Sequence, residues 1–354
     1  MTLRVSAFAL VCAGFLATGL AAPAAAWDRG DVDLFAVLPD GATGPEGLAV
    51  GPDGNIYVTT FGFNSAGPVS GAGQLYVYSP SGQLIRHVNV AGSSSHLLGI
   101  GFHPMTHALL VIDFGAAQVL KVDPHSGAST PFMTVSTPPG STGLNALTFD
   151  HAGNVYVSDS FNGIIWKTGS SGGLASAWVT DPLLATTGVP PFGANGLGFN
   201  RAGNALFVAN TGNDTIVKIP VTAGAPGAPA VFVNSINGAD GLVLDAHDNI
   251  WVAANQADEI VVLDQTGKVV AKLGDFDGLD HFGVPRGLIF PASPDFSKDG
   301  NFLYVSNLTL DLRLFGLAQA VDSQWTAAAK RYTISRIKAR IPPFLHDRSG
   351  PPHP

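Results

Sequence analysis

The chain repeats one pattern of apolar and polar positions: a short apolar run, then a polar turn, then a strand of alternating residues. The clear copies are PEGLAVGPDGNIYVTT from Pro45, LNALTFDHAGNVYVSD from Leu144, ANGLGFNRAGNALFVAN from Ala194, ADGLVLDAHDNIWVAA from Ala239 and PRGLIFPASPDFSKDGNFLYVSN from Pro285. LLGIGFHPMTHALLVID, from Leu97, is a degenerate sixth copy. Aligned on the residue before the Gly-apolar pair, successive copies lie 52, 47, 50, 45 and 46 residues apart. Such a period indicates a repeat architecture.

Each copy predicts a β-hairpin, because its turn is rich in Gly, Asn and Asp and the following strand alternates. Further strand-like segments follow every hairpin, so four antiparallel strands fit each repeat. Six repeats of this kind predict an all-β, six-bladed β-propeller. The lone strand DVDLFAVLP near Asp31 is expected to close the ring. RYTISRIKAR, from Arg331, would be the third strand of the last blade, after an insertion from Leu308 to Lys330.

The residue before each Gly-apolar pair begins an innermost strand, so all six such residues are expected to converge on the central channel. They are Glu46, Leu98, Asn145, Asn195, Asp240 and Arg286. Two carboxylates and two amides are hard oxygen donors that suit Ca²⁺, or Mg²⁺, Mn²⁺ or another divalent metal, and do not suit zinc. Two alternatives remain. The polar residues could merely hydrate the channel, or Arg286 could neutralise the carboxylates without a metal.

The first 26 residues predict a signal peptide, since Arg4 precedes an apolar stretch that ends in small residues. Export would place the protein in the periplasm or outside the cell. The single cysteine, Cys12, lies in this segment, so the exported chain would have no thiol or disulfide. Residues 27–344 would form the propeller, and residues 345–354 a Pro-rich tail that is expected to be disordered.

The charge balance argues against nucleic acid as a partner. The formal charge is -8, or -9 once Arg4 is removed, and only 12% of residues are charged. Basic residues do crowd the C-terminal end, where they could bind a polyanion or guard an exposed sheet edge. We expect a small-molecule substrate, no stable membrane insertion and a monomer.

The motifs resemble those of the gluconolactonase, senescence-marker-protein and luciferin-regenerating-enzyme family, with related bacterial lactonases, paraoxonases and NHL-type propellers as near relatives. PEG at Pro45, NGLGFNRAGNALFVANT from Asn195 and ADGLVLDAHDNIWVA from Ala239 are similar to that family's three metal-ligand motifs in order and spacing. The resemblance implies Glu46, Asn195 and Asp240 as metal ligands and Asn145 as a fourth group. PEGLAV lacks the Pro-aromatic pair of sugar-lactone members, and Leu98 replaces a histidine that related lactonases can carry.

These features predict an exported, metal-dependent hydrolase of a lactone or related ester, with the metal polarising the carbonyl. Asp240 would be the general base, or His96 if its loop folds inward. Other residues expected at the pocket are Arg286, Asp159, His281, Phe61, Phe192 and Phe282. The alternatives are a non-enzymatic propeller that binds a small ligand or a partner protein through this face, and an elimination reaction, for which no base is evident.

Overall fold

The protein is a six-bladed β-propeller, as its repeats predict, and the part of the chain that the structure describes contains almost no helix. The computed structural model describes residue 29 and residues 32–317 and 323–339. The signal peptide predicted at residues 1–26 and the tail predicted at residues 345–354 lie outside the described residues. Within the described part, no helix has the length and apolar character needed to cross a membrane.

Each blade is built on four strands, which follow one another from the channel outwards. Blade 1 contains Pro45–Val50, Ile56–Thr60, Gln74–Tyr78 and Leu84–Asn89, and blade 2 contains Leu97–Phe102, Leu109–Asp113, Gln118–Val122 and Ser129–Thr134. Blade 3 contains Leu144–Phe149, Val155–Asp159, Ile164–Thr168 and Ser176–Thr180, and blade 4 contains Ala194–Phe199, Ala205–Asn210, Thr215–Thr222 and Ala230–Val233. Blade 5 contains Ala239–Leu244, Ile250–Ala254, Glu259–Leu263 and Val269–Leu273, and blade 6 contains Pro291–Phe296, Phe302–Asn307, Thr333–Lys338 and Val32–Val37.

Shorter elements lie outside this four-strand plan. Two-residue strands occur at Phe63–Asn64, Gly67–Pro68, Gly173–Leu174 and Ala225–Pro226, and longer ones at Phe276–Leu279 and Pro285–Gly287. The helices are single turns of 3₁₀ helix at Pro182–Leu184 and Leu312–Phe315, and a short α-helix at Ser323–Ala328. The last two helices belong to the insertion predicted in blade 6.

The N-terminal strand closes the ring, as predicted. Val32 pairs with Ile337 and Val37 with Thr333, so the first strand of the chain is the outermost strand of the last blade. Just before this strand, Arg29 forms an ion pair with Glu259 of blade 5, and Lys272 lies 2.7 Å from the same carboxylate. Backbone pairing therefore holds the closing strand to blade 6, and the ion pair of Arg29 holds the segment just before it to blade 5.

A β-bulge in the innermost strand of every blade aims one side chain at the channel. In blade 1 the register shifts between Pro45 and Leu48, so Glu46 and Gly47 are the bulged residues. A side chain on Gly47 would collide with the backbone carbonyl of Leu98 in blade 2. Glycine at this position therefore lets neighbouring blades approach closely around the channel.

Aspartates fix the turn between the two inner strands in several blades. In blade 3, Asp150 accepts hydrogen bonds from the Asn154 backbone N–H at 2.9 Å and the Tyr156 hydroxyl at 3.0 Å. In blade 5, Asp245 accepts one from the Trp251 indole N–H at 3.1 Å. Both aromatic side chains are buried, so each aspartate ties the turn to the hydrophobic core between blades.

Candidate metal centre

Four of the predicted ring residues meet in one pocket at the mouth of the central channel. Glu46, Asn145, Asn195 and Asp240 line it, and each is at most 5% exposed. Leu98 lines the same pocket, which contains about 390 Å³ of empty space, part of it open to solvent. The four bulges thus bring two carboxylates and two amides together at one buried place.

Arg286 is not the sixth member of this ring, and that expectation was wrong. The bulge of blade 6 falls between Pro291 and Pro294, so the ring position belongs to Ala292. Arg286 lies on a short strand that pairs outside the blade, its side chain is 59% exposed, and its guanidinium is 3.9 Å from Asp277. The alignment failed because Ser293 replaces the glycine of the bulge, while an unrelated Gly-Leu pair precedes it by six residues.

A second ring of polar residues supports the first, and the sequence reasoning missed it. Its members follow the second strand of blades 3, 4 and 5, and they are Ser160, Thr211 and Asn255. Asn145 donates through Nδ2 to Ser160 Oγ at 3.2 Å, and Asn195 donates to Thr211 Oγ1 at 2.9 Å. The repeats do carry the signal, because these residues occupy one equivalent position in three consecutive copies.

These hydroxyls determine which way the asparagine amides point. Ser160 Oγ donates to the Ala194 carbonyl at 2.7 Å, and Thr211 Oγ1 donates to the Ala239 carbonyl at 2.8 Å. A hydroxyl has one hydrogen, so each must accept from the NH₂ group of its asparagine. The amide oxygen is then on the opposite side, free to act as a ligand.

Several buried oxygens in this pocket have no hydrogen-bond partner among the described residues. They are Glu46 Oε2, Asn145 Oδ1 and Asn255 Oδ1, and all three are acceptors. A buried acceptor left unpaired costs on the order of 1–3 kcal/mol. Unpaired acceptors gathered at one place call for a donor or a cation.

The two carboxylates lie close together in a buried pocket, so a positive charge between them would stabilise their ionised forms. Burial raises the pKa of Glu46 well above its usual value, and the negative charge of Asp240 adds to this effect. Burial likewise raises the pKa of Asp240, partly offset by hydrogen bonds from Asn255 and Asn195. Asn255 Nδ2 donates to Asp240 Oδ2 at 3.0 Å. Across the described ranges, no lysine or arginine lines the pocket to neutralise the pair.

The donor set fits a hard divalent cation such as calcium. Carboxylate and amide oxygens are the ligand types that calcium prefers. Water or substrate would complete its six to eight coordination positions. The described residues contain no cluster of three or more His, Cys, Asp or Glu side chains, the usual composition of a transition-metal site. The match between this pocket and calcium therefore depends on the amide oxygens as much as on the carboxylates.

The remaining predicted pocket residues divide into those that line the pocket and those that do not. Phe61 and Phe192 line it. Asp159 is fully buried beneath this face, where it accepts from the Gly143 backbone N–H at 3.0 Å and the Trp166 indole N–H at 3.1 Å, so its contacts hold the loop in place.

His96, His281 and Phe282 lie outside the pocket lining. His96 Nδ1 is 2.6 Å from the Phe61 carbonyl, and its ring stacks on Phe63 at 5.1 Å. His281 packs on Phe282 at 3.8 Å, and Phe282 is 66% exposed. His96 thus contacts the aromatic side of the pocket without being part of the pocket lining.

Residues 97–274 match the SMP-30/Gluconolactonase/LRE-like region, which is half of the chain. The chain belongs to this family. A short stretch of the first blade, residues 34–61, also matches the N-terminal part of strictosidine synthase-like proteins. No curated protein sequence matches the chain.

Solved structures with the same fold include members of this family. A gluconolactonase from Xanthomonas campestris superposes with a TM-score of 0.61 at 12% identity, over 86% of this chain and 88% of that one. A luciferin-regenerating enzyme gives 0.60 at 15% identity, over 84% and 92%. Regucalcin from Agrobacterium tumefaciens, described as a calcium-binding protein, gives 0.59 at 16% identity, over 85% and 92%. At these identities the likeness is one of fold.

Proposed function

We propose that the protein is a divalent-metal-dependent hydrolase of a lactone or related ester, with calcium as the metal. The observation that carries this proposal is the set of buried acceptor oxygens around two carboxylates, for which the described residues supply neither a hydrogen-bond partner nor a counter-charge. Membership of a family named for a gluconolactonase supports the reaction class. The calcium-binding description of the Agrobacterium regucalcin supports the choice of metal.

Glu46, Asn145, Asn195 and Asp240 would hold the cation. When bound, such an ion polarises the carbonyl of an ester and stabilises the negative charge that develops on its oxygen. Asp240 would take a proton from the attacking water, because its carboxylate lines the pocket and Asn255 holds it through Oδ2. Asn255 thereby orients the carboxylate that performs the proton transfer. His96 is set aside as the base, since its ring is outside the pocket lining.

The test compares Asp240→Asn with His96→Ala at calcium concentrations high enough to refill the site. Asp240→Asn should lose hydrolysis by about a hundred- to ten-thousand-fold, the usual cost of removing a positioned base, while His96→Ala costs less than about tenfold. Turnover is measured on sugar lactones, aliphatic lactones and aryl esters. Calcium binding without hydrolysis of any of them by the intact protein would favour a binding propeller and would contradict the proposal.

Export to the periplasm or out of the cell is part of the same proposal, supported by the composition of residues 1–26. Cleavage after Ala26 would leave Trp27 as the first residue, and the exported chain would retain Arg29, whose ion pair holds the closing strand. Mass spectrometry of the exported protein tests this. A chain that retains its first residues, or one that stays in the cytoplasm, contradicts it.

A further inference from the structure

The pocket has an apolar side that faces its polar side. The apolar lining comes from blades 1 and 2 and from the segment around blade 6, and it comprises Phe61, Leu98, Phe290, Leu308, Leu310 and Leu312. In the insertion every second residue faces the pocket, while the side chains between them are engaged elsewhere. Thr309 donates to the Asn307 carbonyl at 3.0 Å, and Asp311 binds Arg313 at 2.8 Å.

Once a cation occupies the carboxylates and amide oxygens, the described residues of the polar side leave few groups for the hydroxyls of a sugar. Thr211 accepts from Asn195 and donates to the Ala239 carbonyl, so its hydrogen is already used. Within the pocket, the unpaired buried atoms are Glu46 Oε2, Asn145 Oδ1 and Asn255 Oδ1, the acceptors that a bound cation would use first. A polyhydroxylated ring would therefore place most of its hydroxyls against leucine and phenylalanine, where they lose their water without a replacement.

A strip of phenylalanines continues this apolar side out to solvent. We call Phe61, Phe114, Phe161 and Phe192 the aromatic wall. The ring centroids are 5.7 Å apart for Phe61 and Phe114, 5.7 Å for Phe114 and Phe161, and 5.8 Å for Phe161 and Phe192. Phe61 and Phe192 line the pocket, whereas Phe161 is 43% exposed at the outer end. The aromatic wall thus connects the buried carboxylates to the surface.

We propose that the substrate carries an apolar side chain on its lactone or ester group, and that this side chain lies along the aromatic wall. The inference rests on the proposed function, since it assigns the substrate class of that site. The acyl carbonyl would lie at the polar side of the pocket. The side chain would run over Phe61 and Phe192 towards Phe161, replacing water there.

Binding is tested first, with probes that cannot be hydrolysed. The intact exported chain is titrated calorimetrically, in calcium, with 2-alkylcyclopentanones carrying two, four, six and eight side-chain carbons, and with 1,5-anhydroglucitol as a polyhydroxylated ring. The dissociation constant should fall two- to about fourfold for each added methylene, where fourfold corresponds to full burial. Affinity that varies by less than about twofold across the series, or tighter binding of the polyol, would overturn the proposal.

The aromatic wall is tested with a matched pair of variants. Phe161→Ala should reduce the ratio of eight-carbon to two-carbon affinity by about fivefold or more, because it removes the outer end of the wall. Phe282→Ala is the control, since Phe282 is also an exposed phenylalanine but packs on His281 away from the pocket. It should leave the ratio unchanged. An equal loss in both variants, or in neither, contradicts the assignment.

Hydrolysis of γ-lactones with the same side chains separates the two proposals. Chain-length dependence in both binding and kcat/KM supports both. Chain-length dependence in binding with no calcium-dependent turnover would remove the hydrolase and keep the apolar subsite. Turnover that is independent of chain length would keep the hydrolase and remove the apolar subsite.

Discussion

Exchanging glutamate for glutamine at the chain's two glutamates, Glu46 and Glu259, should have opposite effects on stability. Both carboxylates are buried, at 5% and 4% exposure. Glu46 faces Asp240, whereas Glu259 is paired with Arg29 and Lys272. The ionised Glu46 is therefore destabilised by burial and by the charge of Asp240, whereas Glu259 is stabilised by its two cationic partners.

Without calcium at pH 8, Glu46→Gln should stabilise the fold by about 1–3 kcal/mol, because burial and then the charge of Asp240 raise the pKa of Glu46, and each pKa unit corresponds to about 1.36 kcal/mol. Glu259→Gln should destabilise it by about 1–2 kcal/mol. The loss is smaller than for a fully buried pair, because Arg29 and Lys272 are each 42% exposed and remain hydrated.

Calcium should offset most or all of the benefit of Glu46→Gln. At a calcium concentration of about 100 times the dissociation constant, binding stabilises the wild type by roughly 2.7 kcal/mol. If losing one of two anionic ligands weakens binding about a hundredfold, the same concentration stabilises the variant by only ~0.4 kcal/mol. A chain of this length shifts by about 1.5 °C per kcal/mol, so the calcium-induced rise in Tm should fall from about 4 °C to below 1 °C.

The assay is thermal unfolding followed by circular dichroism, with and without calcium, for wild type and both variants. Glu259→Gln should retain the full calcium-induced rise in Tm, since its carboxylate pairs with Arg29 and Lys272 and is not part of the pocket lining. Two results would refute the reasoning. One is an equal calcium response in Glu46→Gln and Glu259→Gln. The other is a loss of stability in calcium-free Glu46→Gln as large as that in Glu259→Gln.

Three further changes test separate parts of the structure. Ser160→Ala removes the hydroxyl that orients the Asn145 amide, so calorimetry should show calcium affinity weakened about five- to tenfold. Arg286→Ala should leave calcium affinity unchanged. Equal losses of affinity in the two variants would contradict both the role of Ser160 and the exclusion of Arg286 from the ring. Burial raises the pKa of Asp295 to about 6 from 3.8, so its contribution to stability is complete below pH 3.8 and is lost as pH rises through 6. Denaturant melts should show Asp295→Asn gaining about 1–3 kcal/mol over wild type between pH 4 and pH 7, and a constant difference would contradict this. Deleting residues 27–40 removes the outermost strand of blade 6 and should abolish most of the stability; a truncated chain that melts like the intact one would disprove closure.

The spacing of the repeats was enough to predict the number of blades and most of the residues that line the channel. The bulged pair recurs as a residue followed by glycine, so Glu46, Asn195 and Asp240 could be found from spacing. Blade 6 broke the rule because Ser293 stands where most copies have glycine, and a bulge of this kind does not require glycine. This exception misplaced Arg286.

Contacts between repeats were harder to infer. Ser160 contributes to the site by bonding two residues from different blades, Asn145 and the carbonyl of Ala194. A period locates equivalent positions, but it does not say which side chains meet across a blade boundary. The same limit applied to His96, which was expected on a loop overhanging the metal face, whereas its Nδ1 meets the Phe61 carbonyl and its ring is outside the pocket lining.

Ring closure by the first strand has a consequence for how the protein is made. Val32–Val37 must wait for Thr333–Lys338, about 300 residues later, before it has a partner. At synthesis rates of roughly 5–20 residues per second, the delay is about 15–60 s. During that time the strand VDLFAV presents an unpaired edge, the kind of segment on which chains aggregate. Closure of the last blade is thus the step that removes this unpaired edge, and a newly made chain is exposed to aggregation through it until then.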